Sequence, residues 1–202
     1  MIRHGESMQS SQKYFSEDKQ TMDPPLTKRG TEQAQKLAQR LKHIYFDKIY
    51  SSDLDRATQT ADILKTAVDS EVIVSGLFRE IDMGDIHKRS WDNFPDIFSR
   101  WVLHEEDIPY PNGECGADVW NRSKQQIDDI YKLGYERIAV ICHGGTIRSI
   151  ICGILDIPQQ RRFYFGVPPE NCSVSIILYD REGSALHTFN DYGHIIHTCT
   201  CS

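Results

Sequence analysis

Short apolar runs alternate along this chain with longer segments of helical periodicity, and this alternation constrains the fold most. The runs FDKIYSS, SEVIVSG and RIAVICHGG are typical of strands, and the third stops at a double glycine before the helical segment TIRSIICGIL. Strands this apolar are usually covered by helices on both faces. The alternation therefore predicts an α/β fold, a three-layer sandwich with a mainly parallel central sheet flanked by helices.

The helical segments carry apolar residues on one stripe each. PPLTKRGTEQAQKLAQRLKH has Thr27 as a candidate N-cap, and GADVWNRSKQQIDDIYKLG is predicted to end at Gly134. LDRATQTADILKTAV repeats the stripe. CSVSIILYD and SALHTFND predict a closing pair of strands. The stripe residues of the first two helices are Ala34, Leu37, Ala38, Leu41, Leu54, Ala57, Ala61, Leu64 and Val68.

One stretch, from about residue 82 to 116, does not follow the alternation of strands and helices and is rich in Trp, Pro and acidic residues. We expect it to be an inserted lid with one amphipathic helix around FPDIFSRWVLH. Its aromatic residues either line a cleft or pack the lid together, and packing is favoured for most of them: Trp91, Phe94, Phe98 and Trp101. With 202 residues, the chain is expected to form a single domain over residues 1–202.

The charge balance limits the possible partners. A formal net charge of −6 disfavours binding to nucleic acid or to an anionic membrane, because such proteins neutralise phosphates with a basic surface. No segment approaches the roughly 20 apolar residues of a membrane span, so a cytoplasmic protein is expected. The six cysteines are expected to be free thiols. The oligomeric state is not predictable from these features.

Reactive side chains follow the predicted strands. Arg3 and His4 follow the first strand, and SSDLDR, with Ser52 and Arg56, follows the second. Glu80 follows the segment Leu77-Phe78, and His143 and Gly144 follow the fourth strand. Because ligands of open α/β sheets bind beyond the carboxyl ends of the strands, these residues are expected to converge on one site.

These residue types fit phosphate-ester chemistry. Imidazole is a competent nucleophile when one ring nitrogen is held as N–H and the other is free, so His4 can attack a phosphomonoester and form a phosphohistidine. Arg3 and Arg56 can bind the phosphate oxygens in a fork, and His143 adds a positive group if the phosphate keeps it protonated. This arrangement requires neither a metal nor a cofactor.

The leaving group also needs a proton, and a carboxylic acid can supply it. Glu80 is the preferred candidate, with Asp82 as the alternative. Gly144 opens a predicted helix whose N-terminus can face the phosphate. Arg56 also has a simpler interpretation as a surface charge paired with Asp53 or Asp55.

Taken together, RHGE, PLTKRGTEQA, YSSDLDRATQTA, the acid at Glu80 and CHGGTIR resemble the histidine phosphatase superfamily, in the branch that contains phosphoglycerate mutase-like phosphatases. The resemblance covers nearly the whole chain in order. It implies that His4 is phosphorylated, that Arg3, Arg56 and His143 hold the phosphate, and that Glu80 is the acid and base. It also implies a phosphoglycerate mutase-like fold and a metal-independent phosphomonoesterase acting on a small metabolite phosphate.

Two other functions stay open. One is phosphoryl transfer of the phosphoglycerate mutase type, although REIDMGDIHKRS lacks the tract expected of the cofactor-dependent mutases. The other is a module that binds a phosphorylated ligand without turning it over. The substrate is not predictable, and small sugar phosphates, phosphoglycerates and α-ribazole phosphate all remain candidates.

Four further features depart from the family pattern or stay ambiguous. Only Met1 and Ile2 precede Arg3, so the first strand is expected to be short, and residues upstream of Met1 are one possible completion of it. The asparagine that many members place after this motif is absent, and Ser7 or a lid residue is expected to bind phosphate instead. Glu114 either contacts substrate or caps the following helix. The tail HIIHTCTCS carries possible metal ligands in His194, His197, Cys199 and Cys201, but a frayed tail is favoured.

Overall fold

A six-stranded sheet forms the centre of the molecule, with strand order β5-β4-β6-β1-β7-β8. The computed structural model describes residues 1–9, 12–19, 21–87, 89–165, 168–180 and 182–196. The strands of the central sheet are β1 (Ile2–Arg3), β4 (Lys48–Ser51), β5 (Val72–Val74), β6 (Ile138–Cys142), β7 (Val174–Leu178) and β8 (Ala185–Asp191). A separate hairpin of β2 (Phe15–Ser16) and β3 (Thr21–Met22) lies outside this sheet and was not predicted from the sequence.

Four neighbouring strands, β5, β4, β6 and β1, run parallel. β7 pairs antiparallel with β1, and β8 pairs antiparallel with β7, so the closing pair of strands is confirmed. The mainly parallel sheet predicted from the apolar runs is therefore correct. Because β1, β4, β5 and β6 point the same way, the loops after them emerge at one edge of the sheet.

Helices cover both faces of this sheet. They are α1 (Lys28–Leu41) and α2 (Asp55–Lys65) on one face and α4 (Gly116–Lys132) and α5 (Gly144–Ile154) on the other. The remaining helix, α3 (Pro95–Trp101), belongs to the lid. Successive side chains of a strand point to opposite faces of the sheet, so the hydrophobic core has one part on each face. Ile49 and Ile141 pack in one cluster with α1 and α2, whereas Tyr50 and Val140 pack in the other with α4 and α5. The three-layer sandwich is confirmed.

Local sequence signals set the helix ends. The Thr27 hydroxyl accepts the Gly30 N–H at 2.9 Å and caps α1, as predicted. Beyond the end of α4, Gly134 adopts a φ of +70°, a left-handed conformation that glycine reaches without strain. The boundary that the sequence predicted at Gly134 is thus correct to within two residues.

β1 is short and lies at the centre of the sheet. Ile2 pairs with Ile141 on one side and with Val174 on the other, and its side chain is 1% exposed. Just beyond β1, the backbone passes very close to α1. A Cβ on Gly30 would lie 1.9 Å from the carbonyl oxygen of Glu6, so only glycine allows this approach. The contact fixes the loop that carries His4 against α1.

The lid over residues 82–116 contains α3, as predicted, together with two 3₁₀ turns, Gly84–His87 and Trp91–Asn93. Trp91 lies 5.2 Å from Phe98 and 5.4 Å from Trp101 between ring centroids, and both tryptophans also contact Tyr110. Phe94 lies between the second turn and α3. The interpretation that most of these aromatic residues pack the lid is supported.

Two further findings concern the described part of the chain. Its cysteines, Cys115, Cys142, Cys152 and Cys172, form no disulfide. None of its helices is both long enough and apolar enough to cross a membrane.

Candidate active site

The carboxyl edge of the parallel strands brings His4, Arg56, Glu80 and His143 together. The imidazole rings of His4 and His143 lie 5.0 Å apart between centroids. Both histidines and Arg56 are buried. The convergence that the sequence predicted therefore occurs, and it follows from the parallel order of β5, β4, β6 and β1.

The two ring nitrogens of His4 have different partners. Nδ1 lies 2.7 Å from the carbonyl oxygen of Gly5, and Nε2 lies 3.3 Å from Nε of Arg56. A carbonyl can only accept and a guanidinium can only donate, so Nδ1 carries the proton and Nε2 holds a lone pair. Burial, followed by the charges of Arg56 and Arg3, lowers the pKa of His4 well below 6.5. The ring is therefore a neutral imidazole with Nε2 unprotonated.

Arg56 is buried and faces His4 from the start of α2. Its NH1 donates to the carbonyl oxygen of Met22 at 3.3 Å and lies 3.9 Å from Oδ1 of Asp23. The interpretation as a surface charge paired with Asp53 or Asp55 is wrong, since Asp53 instead binds Arg79 through both oxygens. Met22 and Asp23, at the end of the hairpin β2–β3, contact Arg56. No pattern in the local sequence predicted this contact.

Arg3 and Gly144 lie close together. Arg3 donates from NH1 to the carbonyl oxygen of Pro169 at 2.5 Å, and its Nε is buried without a partner among the described residues. A Cβ on Gly144 would lie 3.7 Å from that Nε, so the start of α5 adjoins the guanidinium. Burial lowers the pKa of Arg3, and the charge of Glu80 partly offsets this. An anion would supply the missing acceptor.

His143 is fully buried at the N-terminus of α5. Its Nε2 lies 2.9 Å from Oγ of Ser52, and its Nδ1 has no partner among the described residues. Burial and the charge of Arg56 lower the pKa of His143 well below 6.5. Without an anion the ring is neutral, so the protonated His143 expected from the sequence requires the charge of a bound phosphate.

Glu80 reaches the same helix end from the loop after β5. Its carboxylate accepts N–H groups of Gly145 at 3.3 Å, Thr146 at 3.2 Å and Ile81 at 2.9 Å. Asp82, the alternative acid, instead accepts the N–H of Gly84 within its own loop at 2.8 Å. The geometry therefore favours Glu80 over Asp82.

Two further residues, Ser52 and Ser7, were expected to contact phosphate. The Ser52 hydroxyl lies 2.9 Å from Nε2 of His143, and its contact with phosphate stays a prediction. Ser7 pairs through its backbone with Leu26, and its side chain makes no hydrogen bond to His4, Arg3 or His143 among the described residues. The phosphate contact expected of the Ser7 side chain therefore stays a prediction.

Other residues at the site were missed. Thr60 accepts the N–H of Gly5 at 3.1 Å, and Asn171 donates to the carbonyl oxygen of His4 at 3.0 Å. Thr60 belongs to the motif YSSDLDRATQTA, from which the sequence analysis selected only Ser52 and Arg56 as site residues. Asn171 comes from a loop 167 residues away in the chain, so no local pattern could have connected it with His4.

Glu114 does not cap α4 with its side chain. Its two carboxylate oxygens bind Arg122 in α4, at 2.8 and 3.1 Å, and one of them accepts the N–H of Asp82 at 2.9 Å. The backbone at the start of α4 is instead satisfied by Asp107, which accepts the N–H groups of Gly116 and Ala117. Helix capping by Glu114, one of its two proposed roles, is therefore wrong.

A cleft of about 250 Å³ adjoins the site through Glu80. Charged residues from several segments line it, which suits a small polar group: Lys19, Arg79, Glu80, Asp82, Glu114 and Arg122, together with Thr21, Leu54 and Gly76. Across the described residues, no group of three or more His, Cys, Asp or Glu side chains is arranged to hold a metal ion.

Of the possible ligands in the tail, His194 is described. It lies 3.1 Å from the carbonyl oxygen of Cys172 through Nε2 and 2.9 Å from Arg40 through Nδ1. It therefore anchors the end of the described chain to the core. His197, Cys199 and Cys201 lie outside the described residues.

The chain matches the histidine phosphatase superfamily (branch 1) over residues 1–192. Phosphoserine phosphatase 1 of Hydrogenobacter thermophilus is 30% identical over 179 residues, which cover 86% of this chain and 84% of that protein. Probable phosphoglycerate mutase GpmB of an Enterobacter species is 31% identical over 186 residues, covering 89% and 83% of the two chains.

A solved structure is similar over nearly its full length. Phosphoserine phosphatase from Entamoeba histolytica, in complex with 3-phosphoglyceric acid, superposes with a TM-score of 0.77 at 26% sequence identity. The match covers 96% of this chain and 97% of that one. These similarities and the geometry around His4 agree on one kind of chemistry, which is the transfer of phosphoryl groups.

Proposed function

Because the chain belongs to the histidine phosphatase superfamily, and the relatives named above are phosphatases or mutase-like proteins, we propose that it is a metal-independent phosphomonoesterase. Its reaction is the hydrolysis of a small metabolite phosphate through a phosphohistidine at His4. The whole chain acts as one catalytic domain.

The main support for this proposal is the protonation state of His4. Nδ1–H is held by the carbonyl oxygen of Gly5, and Nε2 presents its lone pair next to the guanidinium of Arg56. A nucleophile must be unprotonated at the reacting atom. The lowered pKa of His4 keeps Nε2 unprotonated at neutral pH. The adjacent cation attracts the phosphate dianion to the same atom.

The first half-reaction transfers the phosphoryl group to the enzyme. Nε2 of His4 forms a bond to phosphorus while the bond from phosphorus to the ester oxygen breaks. Glu80, protonated, gives its proton to the leaving oxygen. Arg3, Arg56 and His143 stabilise the charge on the phosphoryl oxygens, and His143 takes up a proton when the dianion binds.

The second half-reaction restores the enzyme. The Glu80 carboxylate takes a proton from a water molecule, whose oxygen attacks phosphorus as the bond to Nε2 breaks. Inorganic phosphate leaves, and Glu80 is again protonated for the next cycle.

Phosphoryl transfer to a second substrate is the competing function. It is favoured by the similarity to a protein described as a probable phosphoglycerate mutase. The two functions differ in whether water or a second substrate receives the phosphoryl group from His4. A bisphosphorylated primer is expected to stimulate only a mutase.

The names of the relatives suggest which esters to test first. One relative is a phosphoserine phosphatase, and the solved structure holds 3-phosphoglyceric acid. The cleft beside Glu80, at about 250 Å³, suits leaving groups of that size. Phosphoserine and 3-phosphoglycerate therefore head the panel.

The test is release of inorganic phosphate from a panel of metabolite phosphates and p-nitrophenyl phosphate, in the presence of EDTA. Wild type is compared with His4→Ala, and His43→Ala, which changes an exposed histidine, is the control. We expect turnover that resists EDTA, is lost in His4→Ala and is unchanged in His43→Ala. Turnover by His4→Ala at the wild-type rate would exclude the nucleophile, and turnover lost in EDTA would exclude a metal-independent reaction.

A further inference from the structure

Arg122, in the second turn of α4, binds the loop that carries Glu80. Its NH1 donates to the carbonyl oxygen of Leu77 at 2.8 Å, and its NH2 donates to the carbonyl oxygens of Arg79 at 2.9 Å and Glu80 at 3.1 Å. One guanidinium therefore binds three carbonyls of the same short segment. A planar guanidinium with five fixed donors holds such a segment more rigidly than a single hydrogen bond would.

Glu114 completes the arrangement from the other side. It binds Nε and NH2 of Arg122, and it accepts the N–H of Asp82 at 2.9 Å. The loop is thus held on both sides of Glu80. Arg122 binds carbonyl oxygens up to and including that of residue 80, and Glu114 binds the N–H of residue 82. The side chains of Arg122 and Glu114 are 17% and 24% exposed, so solvent competes weakly for this pair.

The loop needs such support because residues 79–83 belong to no helix or strand. Its own side-chain anchor, the Glu80 carboxylate on the N-terminus of α5, is the group that must exchange protons during the reaction. General acid catalysis depends on the distance and angle between the acid and the leaving oxygen. A fixed backbone keeps that geometry while the hydrogen bonds of the carboxylate change.

We propose that Arg122, together with Glu114, is a positioning residue that sets the pose of Glu80 for proton transfer to the leaving group. The inference rests on the proposed function, since it takes Glu80 as the general acid. Arg122 acts through the loop and does not touch the reacting atoms.

The leaving group separates this role from a merely structural one. Phenyl phosphate and p-nitrophenyl phosphate have nearly the same shape, but phenol is the far weaker acid, so its departure depends more on protonation. A variant with a displaced Glu80 should slow phenyl phosphate selectively. A variant that only loosens the fold should slow both esters alike.

The experiment compares Arg122→Met, Glu114→Gln and Glu80→Gln with wild type on both esters. Lys124→Met is the matched control, because Lys124 is also a cation on α4 in an ion pair but binds Asp128, away from the Glu80 loop. We expect Arg122→Met to slow the hydrolysis of phenyl phosphate by roughly tenfold to a hundredfold and that of p-nitrophenyl phosphate far less. This loss is part of the rate acceleration of roughly 10²–10⁴-fold that a general acid supplies. Glu114→Gln, which keeps the side-chain volume, should show the same selectivity more weakly, and Lys124→Met none.

A double variant tests whether Arg122 acts through Glu80. In the Glu80→Gln background, Arg122→Met should reduce the rate of phenyl phosphate hydrolysis little further, because the effects of substituting residues that act as one unit are not additive. If Glu80→Gln is selective but Arg122→Met and Glu114→Gln slow both esters equally, the positioning role is wrong and the acid assignment stands. If Glu80→Gln is itself unselective, the acid assignment fails and the positioning role fails with it. Should Arg122→Met not fold, Glu114→Gln and Arg122→Lys decide by the same comparison.

Discussion

At the scale of the residue, hydrogen-bond partners decide what each histidine of the site can do. His4 has one partner that only accepts and one that only donates, so its tautomer is determined. His143 has a hydroxyl partner, Ser52, which can do either. Ser52 can therefore bond both to a neutral His143 and to the protonated His143 that a phosphate dianion favours.

This arrangement predicts a specific effect of Ser52→Ala. Loss of a hydrogen bond to a charged group costs about 1.5–3 kcal/mol, which corresponds to roughly a tenfold to hundredfold fall in kcat/KM. The measurement is steady-state kinetics on p-nitrophenyl phosphate. Ser51→Ala is the matched control, since Ser51 is equally buried but its hydroxyl donates to the carbonyl oxygen of Ser52.

Both serine variants are expected to lose about 1 kcal/mol of unfolding free energy, as is typical of a lost buried hydrogen bond. Only Ser52→Ala should lose activity. Equal activity of the two variants would contradict a role for Ser52 in supporting His143.

At the scale of the element, a buried ion pair joins the lid to the rest of the fold. Asp107, in the lid, binds Arg162 at 2.5 Å, and the two side chains are 14% and 4% exposed. Arg162 lies in the 3₁₀ helix Gln159–Phe165, beyond the end of α5. Burial disfavours the charge of Asp107, but Arg162 and the N–H groups of Gly116 and Ala117 lower its pKa overall.

Removal of one partner from this pair should be costly. Asp107→Ala leaves a buried guanidinium without its carboxylate and removes the cap of α4, so we expect a loss of about 3–5 kcal/mol in unfolding free energy. Chemical denaturation measures it. Glu106→Ala is the control, because Glu106 pairs with Arg100 at an exposed position and such pairs contribute about 0–1 kcal/mol. Similar losses in the two variants would show that the pair does not anchor the lid.

At the scale of the whole molecule, the buried histidines link stability to pH. Burial, with the nearby arginine charges, holds the pKa of His4 and of His143 well below 6.5. An unfolded chain protonates its histidines near pH 6.5. Below that pH the unfolded state binds more protons than the folded state, so the free energy of unfolding falls as the pH falls.

The prediction is full stability above about pH 7 and a loss of up to about 1.4 kcal/mol per pH unit for each of the two histidines below about pH 6.5. Urea denaturation across this range tests it. His143→Gln should give a shallower dependence, whereas His43→Gln, at an exposed position, should follow wild type. A stability independent of pH between about 7 and 5.5 would mean that the buried rings take up protons in the folded state.

The sequence by itself determined the mainly parallel character of the sheet, its main helices and the positions of His4, Arg56, Glu80 and His143 after four of the strands. These followed from the alternation of apolar runs with helical stripes, because parallel strands bring their carboxyl ends to one edge whatever the loops do.

Only the tertiary structure decided which side chains support those four residues. Asp23 reaches Arg56 from an unpredicted hairpin, and Arg122 binds the Glu80 loop from α4, 42 residues further along the chain. Asn171 likewise reaches His4 from near the other end of the chain. Such contacts depend on side-chain directions between segments distant in sequence, and the period of a helix or strand carries no information about them.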